Sequence, residues 1–349
     1  MTSFWGDRPV LVTGAGGFTG RHLATTLNRH GAKVRAFVRR GGSRAQFDPS
    51  VEVFVGDLLS REDCRRAVQG IDTVFHVAAV FRRFNSTAAQ LRAIHVDATR
   101  QLLEEARAAN VRRFVHTSTI GVHGGLETPR IDENGPFRPG DHYQATKLEG
   151  EQLVRRLAPE IGMPFTIIRP CSIYGPGDRR FLKFVKPMSR GVFAMIGSGE
   201  VNIHFVYIDD LVQAFLLAGE KDEALGETFI IGGARSHTLN EFAQLVASTV
   251  GRNGSLIHLP VWPIYQASIV CEKICAWLGV EPPLHPRRVG FFTNHRAFSI
   301  DKARRLLGYG PETDLRTGLK RLIGWFRREG LLRPADARTA QTESQSARR

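Results

Sequence analysis

Three observations predict a doubly wound α/β fold, a parallel sheet covered by helices on both faces. Short, nearly continuous apolar segments recur through the first half of the 349-residue chain, each followed by a stretch with helical periodicity. A glycine-rich turn at 13–20 joins the first apolar segment to the first helical one. Beyond residue 180 the alternation loosens into aromatic, basic and Gly-rich stretches, which predicts a smaller C-terminal region beside the sheet.

Taken in order, strands are expected at 10–13, 34–38, 51–55, 73–78, 113–117 and 165–169, each apolar or β-branched, as strands buried on both faces are. Helices are expected between them at 20–29, 61–69, 89–109 and 142–157. Short strands follow at 204–208 and 228–231, with Asp209 or Asp210 set to cap a helix running to Ala218. Helices at 239–250 and 263–278, a Pro/Arg loop at 282–288, and helices at 300–307 and 315–328 close the folded part. The tail at 334–349 has little to bury and is expected to lack structure.

Composition narrows the function. Hydrophobic residues make up 42% of the chain, enough for a sizeable core. No run of about 18 apolar residues occurs, so no membrane span is expected. A strand begins almost at once without a secretory leader pattern, which makes a cytoplasmic location the expectation. The four cysteines form no CxxC pair and no zinc spacing, so neither a metal nor a disulfide is expected; Cys271 and Cys275 fall on one helix face. The net charge of +14 favours anionic ligands, a cofactor phosphate included. It comes from scattered arginines without a zinc finger, basic zipper or RNA-binding aromatic signature, so nucleic acid is not an expected partner.

In the turn Thr13–Gly20, Gly14 permits the tight bend, Gly17 lets the backbone approach a pyrophosphate, and Gly20 lets the helix pack on the sheet. The helix N-terminus then offers free amides and a positive dipole end to phosphate. An acidic residue near the end of the second strand would select NAD; the segment instead carries Arg35, Arg39 and Arg40, which suit the 2′-phosphate of NADP. NADP is therefore the expected cofactor, with NAD the alternative. Asp57, after the third strand, suits either a place near the adenine or an ordinary turn.

Tyr143 and Lys147 stand four apart on an expected helix and so share a face. A cation close to a phenol favours its ionised form, which suits proton exchange with a substrate oxygen while hydride moves at carbon. The fifth strand ends in Ser118 and Thr119, hydroxyls at the C-terminal edge where α/β enzymes bind ligands.

Together these motifs resemble the extended short-chain dehydrogenase/reductase superfamily, the branch with dihydroflavonol reductases, 3β-hydroxysteroid dehydrogenases and sugar-nucleotide epimerases. The matching segments are TGAGGFTG at 13–20, GDL at 56–58, HVAA at 76–79, TSTIGVHG at 117–124, YQATK at 143–147, RPCSIYGPGD at 169–178, FVYIDDL at 205–211 and LLGYGP at 306–311. The resemblance implies Thr119, Tyr143 and Lys147 as catalytic residues. It implies Gly14, Gly17, Phe18, Thr19, Gly20, Arg39, Arg40, Asp57, Leu58, Ala78, Ala79 and Pro170, with Tyr143 and Lys147, as cofactor contacts. Arg180, Lys183 and His204 are candidate substrate contacts. A Rossmann unit over 8–180, rejoined by 203–233, is expected to carry the cofactor, and 181–202 with 234–330 the substrate. Homodimers are common among such enzymes. One departure stands out: His95 occupies the place of an Asn in the NVxGT-like segment.

Dehydratases of this superfamily carry an acidic pair directly after the catalytic Thr, where this chain has Ile120 and Gly121. What remains is net oxidation or reduction of a secondary alcohol or ketone on a small molecule, a ring ketone, sterol-like compound or sugar nucleotide. The alternatives are an NAD-dependent nucleotide-sugar 4-epimerase and, from another class, a non-catalytic NADP-sensing regulator. The basic and aromatic segment 177–202 suits either a nucleotide clamp or a solvated helix over a buried aromatic stripe. The segment 261–278 suits a packing helix, an apolar pocket wall or contact with a membrane surface.

Overall fold

The computed structural model describes residues 3–41, 47–80, 87–126, 130–252 and 255–332. The expected unstructured tail at 334–349 lies outside them. The N-terminal elements alternate as expected: β1 (Pro9–Thr13), α1 (Phe18–Arg29), β2 (Lys33–Arg39), β3 (Glu52–Gly56), α2 (Arg61–Ala67), β4 (Thr73–His76), α3 (Ala88–Arg92), α4 (Ala98–Ala108), β5 (Arg113–Thr117), α5 (His142–Glu160) and β6 (Phe165–Pro170). There follow β7 (Ser172–Tyr174), α6 (Leu182–Met188), β8 (Val192–Ile196), β9 (Asn202–Ile203), β10 (Phe205–Tyr207), α7 (Ile208–Glu220), β11 (Thr228–Ile231), β12 (His237–Thr238), α8 (Leu239–Val250), β13 (Ser255–Leu259), α9 (Val261–Leu278), α10 (Pro286–Thr293), α11 (Asp301–Leu307) and α12 (Leu315–Arg328).

Seven strands form one sheet in the order β3-β2-β1-β4-β5-β6-β11, every pairing parallel. Alternate residues serve opposite cores, as the pleat requires. Val10, Val12, Val115 and Ile168 pack into the core that contains α1 and α7. Leu11, Val74, Phe114 and Ile167 pack into the one that contains α4 and α5. Each such side chain contributes about 1.5–3 kcal/mol by leaving water. Strand order reverses between β1 and β4, which opens a crevice at the C-terminal strand ends.

Three expectations are corrected. The helix expected at 89–109 is two helices joined by a π-helical turn, Ala93–Asp97. Neither Asp209 nor Asp210 caps α7, which begins at Ile208 with no side-chain cap; Asp210 instead accepts from the amides of Glu312 and Thr313 (3.0 and 3.2 Å), tying down the chain before α12. The loop expected at 282–288 gives way to α10, because Pro286 occupies a first-turn position where no N–H is needed and His285 caps the Arg288 amide. Shorter strand pairs, β7 with β10, β8 with β13 and β9 with β12, lie outside the main sheet.

Candidate active site

The glycine turn sits at the sheet's switch point. Gly14 has φ +69°, and a Cβ there would lie 2.7 Å from the Cα of Ala78. The chain leaving β4 thus presses on the turn, and only a residue without a side chain fits. A Cβ on Gly20 would lie 2.3 Å from the Gly14 carbonyl oxygen, so this glycine sets how closely α1 approaches the turn. Gly17 precedes α1 in extended conformation; the helix has neither a side-chain cap nor an acidic residue in its first turn. Its first amides and dipole end are therefore left for an anion. These features fit a dinucleotide pyrophosphate, which Gly14, Gly17 and the amides from Phe18 onward would hold. Phe18 lies against Gly177, and the imidazole of His22 meets the Pro176 carbonyl oxygen at 3.0 Å, so the 175–178 loop closes over the first turn of α1.

The second cluster lies across the switch point. Asp141 caps α5, its Oδ1 accepting from the Gln144 amide at 2.8 Å. Tyr143 is thereby in the first helical turn and Lys147 one turn on. Lys147 is 3% exposed, and its ammonium donates to the Thr117 carbonyl at the end of β5, 2.5 Å away. Two residues later Thr119 caps a short 3-10 turn, Ile120–His123, its Oγ1 accepting from the Gly121 amide at 3.0 Å. A Cβ on Gly121 would lie 3.2 Å from the Gln144 side chain, so this turn rests on the first turn of α5. Thr119, Tyr143 and Lys147 are thus gathered at one strand end. Burial pushes the Lys147 ammonium down to about 8, and Glu151, one turn further along α5, opposes the fall.

Buried histidines hold this cluster in place. His95 lies in the π-helical turn with its ring edge-on to Tyr143, centroids 5.4 Å apart. Its Nε2 accepts from the Val80 amide (3.2 Å), so its proton sits on Nδ1 and is donated to Thr146 Oγ1 (2.9 Å). Burial and the Lys147 ammonium push its pKa to about 3, keeping it neutral. The departure at position 95 is thus a clamp between α5 and the chain after β4. His76 makes the parallel bridge: Thr99 Oγ1 donates to the His95 carbonyl, so it accepts from His76 Nε2 (3.0 Å), and His76 Nδ1 accepts from Thr13 Oγ1 (2.9 Å). Thr13 Oγ1 in turn accepts from the Ala78 amide at 3.2 Å. Deeper still, Arg169 and Glu151 form a fully buried two-pronged ion pair at 2.5 and 3.0 Å, joining α5 to β6.

Other anticipated residues take varied positions. Arg39 and Arg40 are exposed at the end of β2, and Asp57 is exposed beside them at the end of β3. Arg35 points elsewhere, bonded to Glu52 and to the carbonyls of Ala67 and Gln69. Leu58 and Pro170 are buried, Thr19 and Ala78 half-buried, and Ala79 exposed beyond β4. Arg180 is bound to Asp178 through two bonds of 2.8 Å, and Lys183 is exposed on α6. His204 is buried and donates from Nε2 to the Gly233 carbonyl (2.8 Å), fastening two strands' ends. Phe181 and Phe184 turn inward onto Phe242, which favours the buried aromatic stripe over the nucleotide clamp. The supports His76, Glu151 and Arg169 were not anticipated in these roles. Only the Tyr143, Lys147, Glu151, Arg155 spacing along one face of α5 hinted at one of them. Two surface depressions, of about 680 Å3 beside Arg130 and Lys302 and about 330 Å3 beside Tyr174 and His237, share no residue with the Tyr143 cluster.

A Rossmann sheet with a glycine turn at its switch point, facing a Tyr-x-x-x-Lys helix, defines a nicotinamide-dinucleotide enzyme of the short-chain dehydrogenase/reductase class. The model of the NAD dependent epimerase/dehydratase family matches residues 10–232, and the chain belongs to that family. It is 32% identical over 318 residues to a 3-beta-hydroxysteroid dehydrogenase of Mycolicibacterium neoaurum, covering 86% of this chain and 87% of that one. It is 31% identical to sterol demethylase protein B of Methylococcus capsulatus, covering 93% and 99%. Among solved structures, MoeE5 in complex with UDP-glucose and NAD superposes with a TM-score of 0.72 at 27% identity, covering 93% of this chain and 99% of that one.

Proposed function

We propose that this enzyme interconverts a secondary alcohol and a ketone on an apolar ring substrate of sterol type. The observation that carries the reading is the convergence of Thr119, Tyr143 and the buried Lys147 on the C-terminal end of β5. Bound nicotinamide supplies or accepts the hydride. The chain's own residues handle the proton. Thr119 Oγ1 orients the substrate oxygen, Tyr143 takes the hydroxyl proton on oxidation or returns it on reduction, and Lys147 keeps a positive charge beside the phenol and holds a cofactor ribose. The sterol and steroid names of the relatives support the substrate class. Arg39 and Arg40 support NADP over NAD, and we assign them to its 2′-phosphate. We further assign the active form to a homodimer, which sedimentation analysis tests.

The direct experiment is a cofactor-reduction assay with 3β-hydroxysterols and either dinucleotide. Tyr143→Phe is expected to lower turnover by about 10²–10⁴-fold while leaving cofactor binding intact. Arg39→Ala with Arg40→Ala is expected to lower kcat/KM for NADP by about tenfold or more, with little change for NAD. The likeness to a structure holding UDP-glucose favours 4-epimerisation as the second reading. Isotope washout at one sugar carbon, without net consumption of cofactor, would establish that reading instead. A Tyr143→Phe protein with unchanged biological function would point to a cofactor-sensing regulator.

A further inference from the structure

Helix α9 does not behave as a packing helix. Of its eighteen residues only Ser268 and Cys275 are buried. Trp277 is 85% exposed and Trp262 73%, and Val270, Ile274, Leu278 and Val280 each have about half their surface or more in water. At about 100° per residue Trp262 and Trp277 lie within about 60° of one another, some 22 Å apart along the axis. Exposed apolar surface on this scale marks a site of interaction. The same arithmetic sets the exposed Gln266 and Lys273 between the two indoles, while Val270, Ile274 and Leu278 continue the apolar surface beyond Trp277. Indole rings and a lysine bordering an apolar strip suit the polar–apolar boundary of a bilayer.

The surroundings say which kind of partner fits. The charges of α9 itself, Glu272 and Lys273, cancel, and the exposed Glu281 follows it, but α10 carries Arg287 and Arg288 and α6 carries Lys183 and Lys186. Arg287 is exposed on α10, which packs on α9. Phe184 meets Phe291 at 5.3 Å, which joins α6 to α10 and brings the exposed Lys183 and Lys186 into the same lobe. The net positive balance of α6, α9 and α10 together complements an anionic lipid surface rather than a second, equally cationic copy of the chain. Among the described residues no helix is long and apolar enough to cross a membrane, so α9 would lie in the plane of the interface.

This lobe is also mounted on the mouth of the active site. Arg287 pairs with Asp141, the cap of the Tyr143 helix, at 3.6 Å. The Leu126 amide donates to the His295 carbonyl (3.0 Å), and Asn294 fills the space beside Gly125, just after the Thr119 turn. We propose that α9 and the rim of α10 dock the enzyme on an anionic lipid bilayer. The corollary that an apolar substrate passes from the bilayer between α10 and the Thr119 turn rests on the sterol reading above; the docking itself does not.

The test is flotation of the purified full chain with vesicles of phosphatidylcholine alone and of an equimolar mixture with phosphatidylserine. Binding to the mixed vesicles, weakened by salt and with a blue shift in tryptophan fluorescence, is expected. A Trp262→Ser, Trp277→Ser double variant is expected to lose about tenfold or more in partitioning while keeping its melting temperature and its activity on a detergent-dispersed substrate. Absence of binding to mixed vesicles overturns the proposal. So does a double variant that floats as well as wild type, or one whose only change is from dimer to monomer. Vesicle binding by a Tyr143→Phe protein separates the two readings, since docking needs no turnover.

Discussion

At the scale of single residues, Lys147 decides most. Its ammonium is buried, donates to one backbone carbonyl, and has its pKa lowered to about 8 by burial against the opposing pull of Glu151. If the ammonium is the working form, kcat/KM falls as pH rises through about 8, because this profile reports groups of the free enzyme. Glu151→Gln removes the opposing charge, so that alkaline limb is expected to move to lower pH. Lys147→Arg, whose charge persists, is expected to lose the limb altogether while turning over more slowly. A wild-type profile flat to pH 10 would rule this role out. Gly14 offers a second check. A methyl group there meets the Ala78 backbone and sits on a left-handed φ, which costs of order 1–3 kcal/mol. Gly14→Ala is thus expected to lower the melting temperature and to abolish the stabilisation expected from added nicotinamide dinucleotide.

At the scale of elements, legibility followed how local the determinants are. The bounds of α8 were readable because a Thr238–Glu241 capping box opens it and Gly251, in left-handed conformation, closes it. The glycine turn and the Tyr143–Lys147 pair were readable because each is complete within one short segment. The π-helical turn at 93–97 was not, since its extra residue leaves the apolar spacing helix-like. Yet that turn is what aims His95 at Tyr143, and Gly150 is shaped to it, a Cβ there lying 2.2 Å from the His95 carbonyl oxygen. The Arg169–Glu151 pair was equally hidden, because its partners come from different elements and meet only when α5 docks on β6. Removing one member leaves a buried charge unpaired, so Glu151→Ala is expected to cost about 3–5 kcal/mol in denaturant unfolding. The apolar double replacement Glu151→Leu with Arg169→Met is expected to recover part of that loss. A single variant as stable as wild type would show that the pair does not hold α5.

At the scale of the whole molecule, the least legible feature is the set of histidines that the parallel register assembles. His76 and His116 are forty residues apart in sequence yet directly paired across β4 and β5, their rings 5.6 Å apart. No spacing within one segment announces such a meeting. Burial holds His76 and His95 down to about 3 and His116 well below its ordinary value, and Lys147 adds to each shift. The unfolded chain titrates these rings near 6.5. Between that pH and the folded values the unfolded chain binds more protons, so stability is lost as pH falls from about 6.5. Burial of Glu133 and Asp210 raises their pKa values and acts in the opposite sense, so the three histidines together must outweigh them between about pH 6.5 and 5. The midpoint of urea unfolding is expected to drop across that interval. His116 is the informative variant, because neither of its ring nitrogens meets a partner among the described residues. His116→Phe removes a buried polar ring without stranding another group, so it is expected to match or exceed wild-type stability at pH 7 and to weaken the acid loss. A wild-type midpoint that does not move between pH 6.5 and 5 would show that the histidines do not set the acid limit of the fold.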